Sequence, residues 1–374
     1  MDALPVNAEL KPATRRVMAA ERPEELLPDA VARESAEPWN RAVQKLGVPL
    51  VFLLLALVAY NVVIERTAAS SQRRQLLARI ENIPAETDCL FLGNSLVEAG
   101  CNTKSFETAW PKGKAPPKAM NVALGATSTV EHYLILKRSL QNRTHLTYVI
   151  YGFFDDQLNT APNGAWSDLV GNRAFSYYFP DEAAEMYAPG SWFKKWQLRL
   201  TARVPMLAER SSLWGKVDLL RRSLEEVGMP RRKTNRFGRV EDFGALEAAD
   251  AASFDRRCRT AAQGFSRPVE ELLRLAHQRD ATVILLEMPM PSHHRRLFYS
   301  SPAWQELRAR LNSLAKQEGA LYLSASDWIQ DDRNFEDATH LNKQSASQFS
   351  SQLAGAVAWV SLHRPLAGTQ GDAH

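Results

Sequence analysis

Three side chains set far apart in this chain have the chemistry of nucleophilic catalysis. Ser95 closes the segment Cys89-Leu-Phe-Leu-Gly-Asn-Ser95, in which a short apolar run stops at a glycine. Near the other end, Asp337 and His340 lie three residues apart in Phe335-Glu-Asp-Ala-Thr-His-Leu-Asn342. At that spacing a carboxylate can turn toward the imidazole, hold a proton on Nδ1 and leave Nε2 to take the proton of a serine hydroxyl. Ordinary roles are also open to each residue: Ser95 as a helix cap, Asp337 as a cap or backbone acceptor, His340 as a surface residue. The deciding matter is whether the elements carrying them deliver all three to one place.

Those elements are punctuated by glycine. Met120-Asn-Val-Ala-Leu-Gly125 leads into Ser128-Thr-Val-Glu131, which has the spacing of a capping box, and Thr147-Tyr-Val-Ile-Tyr-Gly152 ends in the same way. Further on, residues 268–279, 302–318 and 345–362 read as helices, and residues 281–287 and 320–323 as strands. Strands alternating with helices predict a parallel sheet, here a flavodoxin-like three-layer α/β/α domain of about five strands over residues 86–362. Connections leaving the carboxyl ends of parallel strands open on one edge, so Ser95 should meet Asp337 and His340 there.

With these residues in place, the chain resembles the SGNH (GDSL-like) hydrolase superfamily. The resemblance covers residues 86–362 apart from an insertion, and rests on Gly93-Asn-Ser95, on Gly125 and on Asp337-x-x-His340. It implies an esterase-like mechanism, with Ser95 as nucleophile, His340 as general base and then acid, and Asp337 as its orienting carboxylate. It also implies an oxyanion hole made by the N–H groups of Ser95 and Gly125. The chain departs from the family in its third block, where Gly152-Phe-Phe-Asp155 puts Phe154 in the place of the oxyanion asparagine. Gln157, Asn159 or the insertion would then supply the missing donor. Asn94, Asp155, His293 and His294 are candidate substrate contacts near the same edge. No third ligand at useful spacing accompanies the histidine pair, so neither a metal nor another cofactor is expected.

Between the third and fourth strands, about residues 156–262 break the alternation and exceed any ordinary connection. Their first part is dense in aromatics: Trp166, Phe175, Tyr177, Tyr178, Phe179, Tyr187, Trp192, Phe193 and Trp196. Leu213, Val217, Leu220, Leu224 and Val227 then step as an amphipathic helix, and a basic cluster follows at residues 231–236. A subsidiary core, a cap over a substrate groove and a lipid-facing patch are all open to this segment.

Formal charge is near balance, with 46 basic and 42 acidic residues and a net +4, which gives no ground for a nucleic-acid partner. Cys89, Cys101 and Cys258 form no disulfide framework; free buried thiols are expected, with a Cys89–Cys101 bridge as the alternative. Residues 1–45 mix Pro, Ala, Glu and Arg without periodicity and read as a disordered tail, and residues 363–374 as a second tail. Residues 46–64 carry no charge over nineteen positions, enough to span a bilayer, and residues 65–85 read as a connecting helix. Basic residues flank the span on both sides, so their count does not choose its orientation. The expectation is a retained signal anchor in a bacterial-type inner membrane with the large domain outside the cytoplasm.

The leading expectation for function is a membrane-anchored enzyme that removes or transfers an acyl group, acetyl foremost, on cell-envelope polysaccharide. Its partners would be the bilayer, an acylated carbohydrate or other ester, and proteins of envelope polysaccharide synthesis. The alternatives are a lipid-directed esterase and a non-catalytic anchored protein that binds glycan.

Overall fold

The computed structural model describes residues 29–68, 72–113, 115–125, 127–141, 145–159, 179–208, 248–261 and 264–363. The chain divides into two units, Met1–Ala59 and Tyr60–His374. In the first, the helix α1 (Asp29–Ala68) begins, so residues 29–45 are helical rather than part of a disordered tail. Alanine, glutamate and arginine are strong helix formers, and propagation onto an existing helix avoids the cost of a new nucleus. Among the described residues α1 contains the one stretch long and apolar enough to cross a membrane, Lys45–Arg66. Its apolar side chains stand exposed, Phe52 at 68% and Val58 at 61%, whereas a core helix would bury a face. Of the expected connecting helix, residues 65–68 continue α1 and α2 covers Gln72–Glu81, while residues 69–71 lie outside the described residues.

The second unit is built on five parallel strands, β1 (Thr87–Leu92), β2 (Lys118–Asn121), β3 (Tyr148–Phe153), β4 (Thr282–Glu287) and β5 (Leu321–Ser324). Their order is β2-β1-β3-β4-β5, the doubly wound arrangement expected of a flavodoxin-like sheet. Helices Thr129–Leu140, Arg267–His277, Pro302–Gln317 and Lys343–His363 pack against it. Helices on both faces leave the central strands dry. Cys89–Leu92 of β1 and Val149–Tyr151 of β3 have no exposed surface, which is why they read as unbroken apolar runs. The second apolar run leaves the sheet early, at Asn121. The side chain of Asn121 takes over there, accepting from Ala123 N–H at 3.0 Å and donating to the Val97 and Cys101 carbonyls at 3.0 Å each.

The chain order reverses between β1 and β3, where such sheets bind their ligands. Two glycines allow the turn after β1 to close there. Gly93 has φ of 152°, and a Cβ on it would come within 2.7 Å of the Gly152 carbonyl oxygen and 2.5 Å of Val97 Cγ2. A Cβ on Gly152 would lie 2.2 Å from the same methyl. Side chains at either position would push the serine loop off the sheet.

At the end of β4, the fully buried Glu287 is held by Arg308, with Nε and Nη2 at 2.9 and 2.8 Å, and by the Tyr322 hydroxyl at 2.6 Å. Arg308 also reaches the hydroxyls of Ser324 and Ser326, which ties β4 to the chain after β5. Replacing Arg308 with alanine would leave an uncompensated buried carboxylate, so Arg308→Ala should lose roughly 3–5 kcal/mol in denaturant unfolding. A loss below about 1 kcal/mol would show that Tyr322 alone satisfies Glu287.

All three cysteines are buried free thiols, and no Cys89–Cys101 bridge is formed. The predicted amphipathic helix of residues 213–227, the basic cluster of residues 231–236, Trp166, Phe175, Tyr177, Tyr178 and the tail of residues 364–374 lie outside the described residues.

Candidate active site

Ser95 opens a short helix, Ser95–Gly100, directly after β1. Asn94 caps it, its Oδ1 accepting the Leu96 N–H at 2.9 Å, and is itself buried. Its amide Nδ2 donates to Gln157 Oε1 at 3.3 Å. Asparagine rather than aspartate at this cap therefore has a physical reason, since only the amide can both cap the helix and donate to Gln157. Asn94, expected as a substrate contact, is in this structure the cap of the short helix.

Asp337 and His340 lie in a turn between β5 and the closing helix, across an antiparallel bridge of Phe335 with Leu341. Asp337 Oδ1 accepts the N–H groups of Thr339 and His340 at 2.9 and 2.8 Å, which makes the turn a side-chain-stabilised one. That local bonding is what converts a spacing of three residues into contact: His340 Nδ1 lies 2.9 Å from each carboxylate oxygen. Its other nitrogen, Nε2, lies 2.9 Å from Ser95 Oγ. Asp337 and His340 are 3% and 2% exposed, so the pair is screened from water while Ser95 remains partly open.

Burial alone would raise the Asp337 carboxyl. The hydrogen bond from His340, the two backbone N–H groups and the imidazole's charge outweigh it and hold the group well below the usual carboxylate range. Asp337 is therefore ionised and keeps the Nδ1 proton in place, so Nε2 is the acceptor for the serine proton. The three residues form a continuous relay, carboxylate to imidazole to hydroxyl, able to generate an oxygen nucleophile.

The oxyanion side is less open than the sequence implies. Gly125 reaches the edge beside Ser95, drawn there by Leu124 N–H donating to the Gly93 carbonyl at 3.2 Å. Its own N–H, however, donates to Glu98 Oε2 at 2.7 Å. Glu98 lies one helical turn beyond Ser95, on the same face, a spacing of three that was visible in the chain. A carboxylate about 4 Å from a forming oxyanion opposes it by about 4 kcal/mol at an effective dielectric of about 20. Glu98→Gln keeps an acceptor for Gly125 while removing the charge, and should raise kcat/KM for p-nitrophenyl acetate at least about tenfold. Equal or lower turnover would show that Glu98 moves aside in the reacting complex.

Gln157 stands at the site through Asn94. Asn159 instead donates to the carbonyls of Ala261 (2.9 Å) and Gly264, fastening the end of the insertion, and supplies no oxyanion donor. Phe154 packs against the core. Asp155 has φ of 51° and its Oδ1 accepts from His294 Nε2 and the Tyr299 hydroxyl, both at 2.9 Å. Asp155 and His294, expected as substrate contacts, thus brace the end of β3 against an aromatic cluster of Phe254, Phe298, Tyr299 and Trp304. His293 Nε2 is buried with no hydrogen-bond partner among the described residues.

One part of the site had no signal in the chain. Tyr151, His132 and Thr127 form a buried series, with the Tyr151 hydroxyl 2.9 Å from His132 Nδ1 and His132 Nε2 2.9 Å from Thr127 Oγ1. Thr127 donates to the Leu124 carbonyl at 2.5 Å, so Nε2 carries the imidazole proton and Tyr151 donates to Nδ1. The series pins the loop bearing Gly125 to the floor of the sheet. Among the described residues no group of three or more His, Cys, Asp or Glu is placed to hold a metal ion.

No family model matches the chain, and neither does any curated protein. Among solved structures, a Streptococcus pneumonia protein provisionally described as a platelet activating factor is similar at 10% identity and a TM-score of 0.36, over 83% of this chain and 99% of its own. A provisionally described acylhydrolase from Bacteroides fragilis is similar at 12% identity and a TM-score of 0.34, over 79% of this chain and 98% of its own. Both similarities are remote.

Proposed function

We propose that this chain is a serine-dependent ester hydrolase or O-acyltransferase of the SGNH type, acting on acyl esters, acetyl foremost, of cell-envelope polysaccharide. In this reading residues 46–64 anchor it in a bacterial inner membrane, with the α/β domain outside the cytoplasm. The observation that carries the chemistry is the relay itself, Ser95 Oγ at 2.9 Å from His340 Nε2 and Nδ1 at 2.9 Å from Asp337. Ser95 Oγ attacks the ester carbonyl as its proton passes to Nε2, and the tetrahedral oxyanion takes the Ser95 N–H. Collapse breaks the bond to the alkoxy oxygen, which leaves with the proton from His340. The acyl-enzyme then passes to water in hydrolysis or to a sugar hydroxyl in transfer, His340 again acting as base. The choice of polysaccharide, and of synthesis proteins as partners, is supported by analogy with anchored members of that superfamily and by the aromatic-rich insertion.

A fluorophosphonate probe on the intact protein tests the proposal, with the labelled residue mapped. Labelling at Ser95 is the expected result. The bond from Gly125 to Glu98 favours one other reading, a fold retained for glycan binding without turnover. Absence of labelling with intact glycan binding would establish that reading and end the catalytic one.

A further inference from the structure

One helix of the insertion, Trp192–Arg203, carries an apolar face that the described residues do not cover. On its inner side Leu198 and Thr201 are buried and Ala202 packs on the core. On the outer side Trp192, Phe193, Trp196 and Leu200 are 75%, 53%, 52% and 47% exposed. At about 100° per residue these four side chains fill a stripe about 100° wide. The rings form one cluster, with centroids 6.0 Å apart for Trp192 and Phe193 and 6.1 Å for Phe193 and Trp196. A contiguous aromatic surface of this kind marks an interaction site.

Its position identifies what covers it. The chain turns at Val204 into the short helix Pro205–Ala208, where the Met206 N–H donates to Asn61 Oδ1 at 2.9 Å. Asn61 lies near the charged end of the apolar stretch Lys45–Arg66, about 7.5 Å from Arg66 at about 1.5 Å per residue. In a bilayer crossed by that stretch, this is the depth of the boundary between headgroups and acyl chains, where tryptophan concentrates. Of the charges beside it, Lys195 pairs with Glu185 at 2.6 Å and Arg199 with Asp181 at 2.5 Å, while Arg203 at the end of the helix is exposed. Contact through this face therefore falls mainly to the rings.

We infer that Trp192, Phe193, Trp196 and Leu200 insert into the headgroup–acyl boundary of the bilayer that holds residues 45–66, so that the helix Trp192–Arg203 lies along the membrane surface. This rests on reading Lys45–Arg66 as a membrane span. It adds a second point of attachment, which fixes the orientation of the domain toward lipid where a single span would leave it free to swivel. Because the rings carry the contact, it should depend little on lipid charge.

The test uses the full chain in phosphatidylcholine nanodiscs, with an environment-sensitive fluorophore on Trp192→Cys, on Trp196→Cys, on Leu53→Cys within the span and on the exposed Glu318→Cys; the native thiols are buried. The labels at positions 192 and 196 should shift to the blue and be quenched at least twofold by lipids spin-labelled near the headgroup. The label at position 318 should stay aqueous, and adding phosphatidylglycerol should change nothing. Quenching at 53 with aqueous emission at 192 and 196 overturns the inference and leaves the span intact. No quenching at 53 by lipids spin-labelled deep in the acyl chain overturns the span itself. Shielding at 196 without lipid quenching, together with cross-linked dimers, assigns the face to a second copy of the chain and likewise overturns the inference.

Discussion

Replacing Ser95 with alanine is expected to lower kcat for p-nitrophenyl acetate by roughly 10⁴–10⁶-fold, since removal of the nucleophile disables a triad as a unit. The substitution isolates chemistry from folding. Asn94, not Ser95, caps the short helix, and Ser95 is only partly buried, so stability should change by about 0.5 kcal/mol or less. Turnover would be measured on the full chain in detergent, with a thermal transition recorded on the same sample. Unchanged turnover with an unchanged transition would reduce Ser95 to the first residue of a helix and His340 to its neighbour.

The second large effect is at Asp337. Asp337→Asn keeps the shape of the side chain but replaces the acceptor that holds the Nδ1 proton, so the imidazole is free to present the wrong tautomer to Ser95. A loss of roughly 10⁴-fold in kcat is expected. The same variant has a pH signature that a merely structural role would not share with kcat. The folded-state carboxyl of Asp337 lies below its ordinary value, so its contribution to stability is fully present above the ordinary carboxylate range. It is lost as the pH falls through the lowered folded value. Denaturant unfolding at a series of pH values should show wild type losing this contribution on the acid side, and Asp337→Asn lacking it throughout. A variant that unfolds like wild type at every pH yet loses activity would place the effect of Asp337 on the imidazole alone.

Much of this arrangement was legible because its causes are local. An apolar run that stops at glycine is a strand end wherever it lies, and the repeats at Gly93, Gly125 and Gly152 marked the edge on which the site is built. The capping box at Ser128 and Glu131 formed as its spacing predicts. Asp337 and His340 could be paired from sequence because the turn joining them is held by the aspartate's own bonds to the next residues. The nineteen uncharged residues of α1 announced a helix able to cross a membrane, again through a property that needs no partner.

What the chain determined by itself, then, was the alternation of elements, the strand edge and the two halves of the relay. Tertiary structure alone decided how open the site is. Glu98 and Gly125 meet across 27 residues, Asn94 and Gln157 across 63, and Asp155 and His294 across 139. Each of these residues is commonplace on its own, and its role depends on which group lies opposite when the sheet closes. Asp155, His294 and Asn159 became braces because groups far away in the chain lay within hydrogen-bond reach, although His294 Nδ1 and Asn159 Oδ1 have no partner among the described residues. The exposed rings of Trp192–Arg203 show the converse: the sequence contains the aromatics, but only the packed structure reveals which of them the core leaves uncovered.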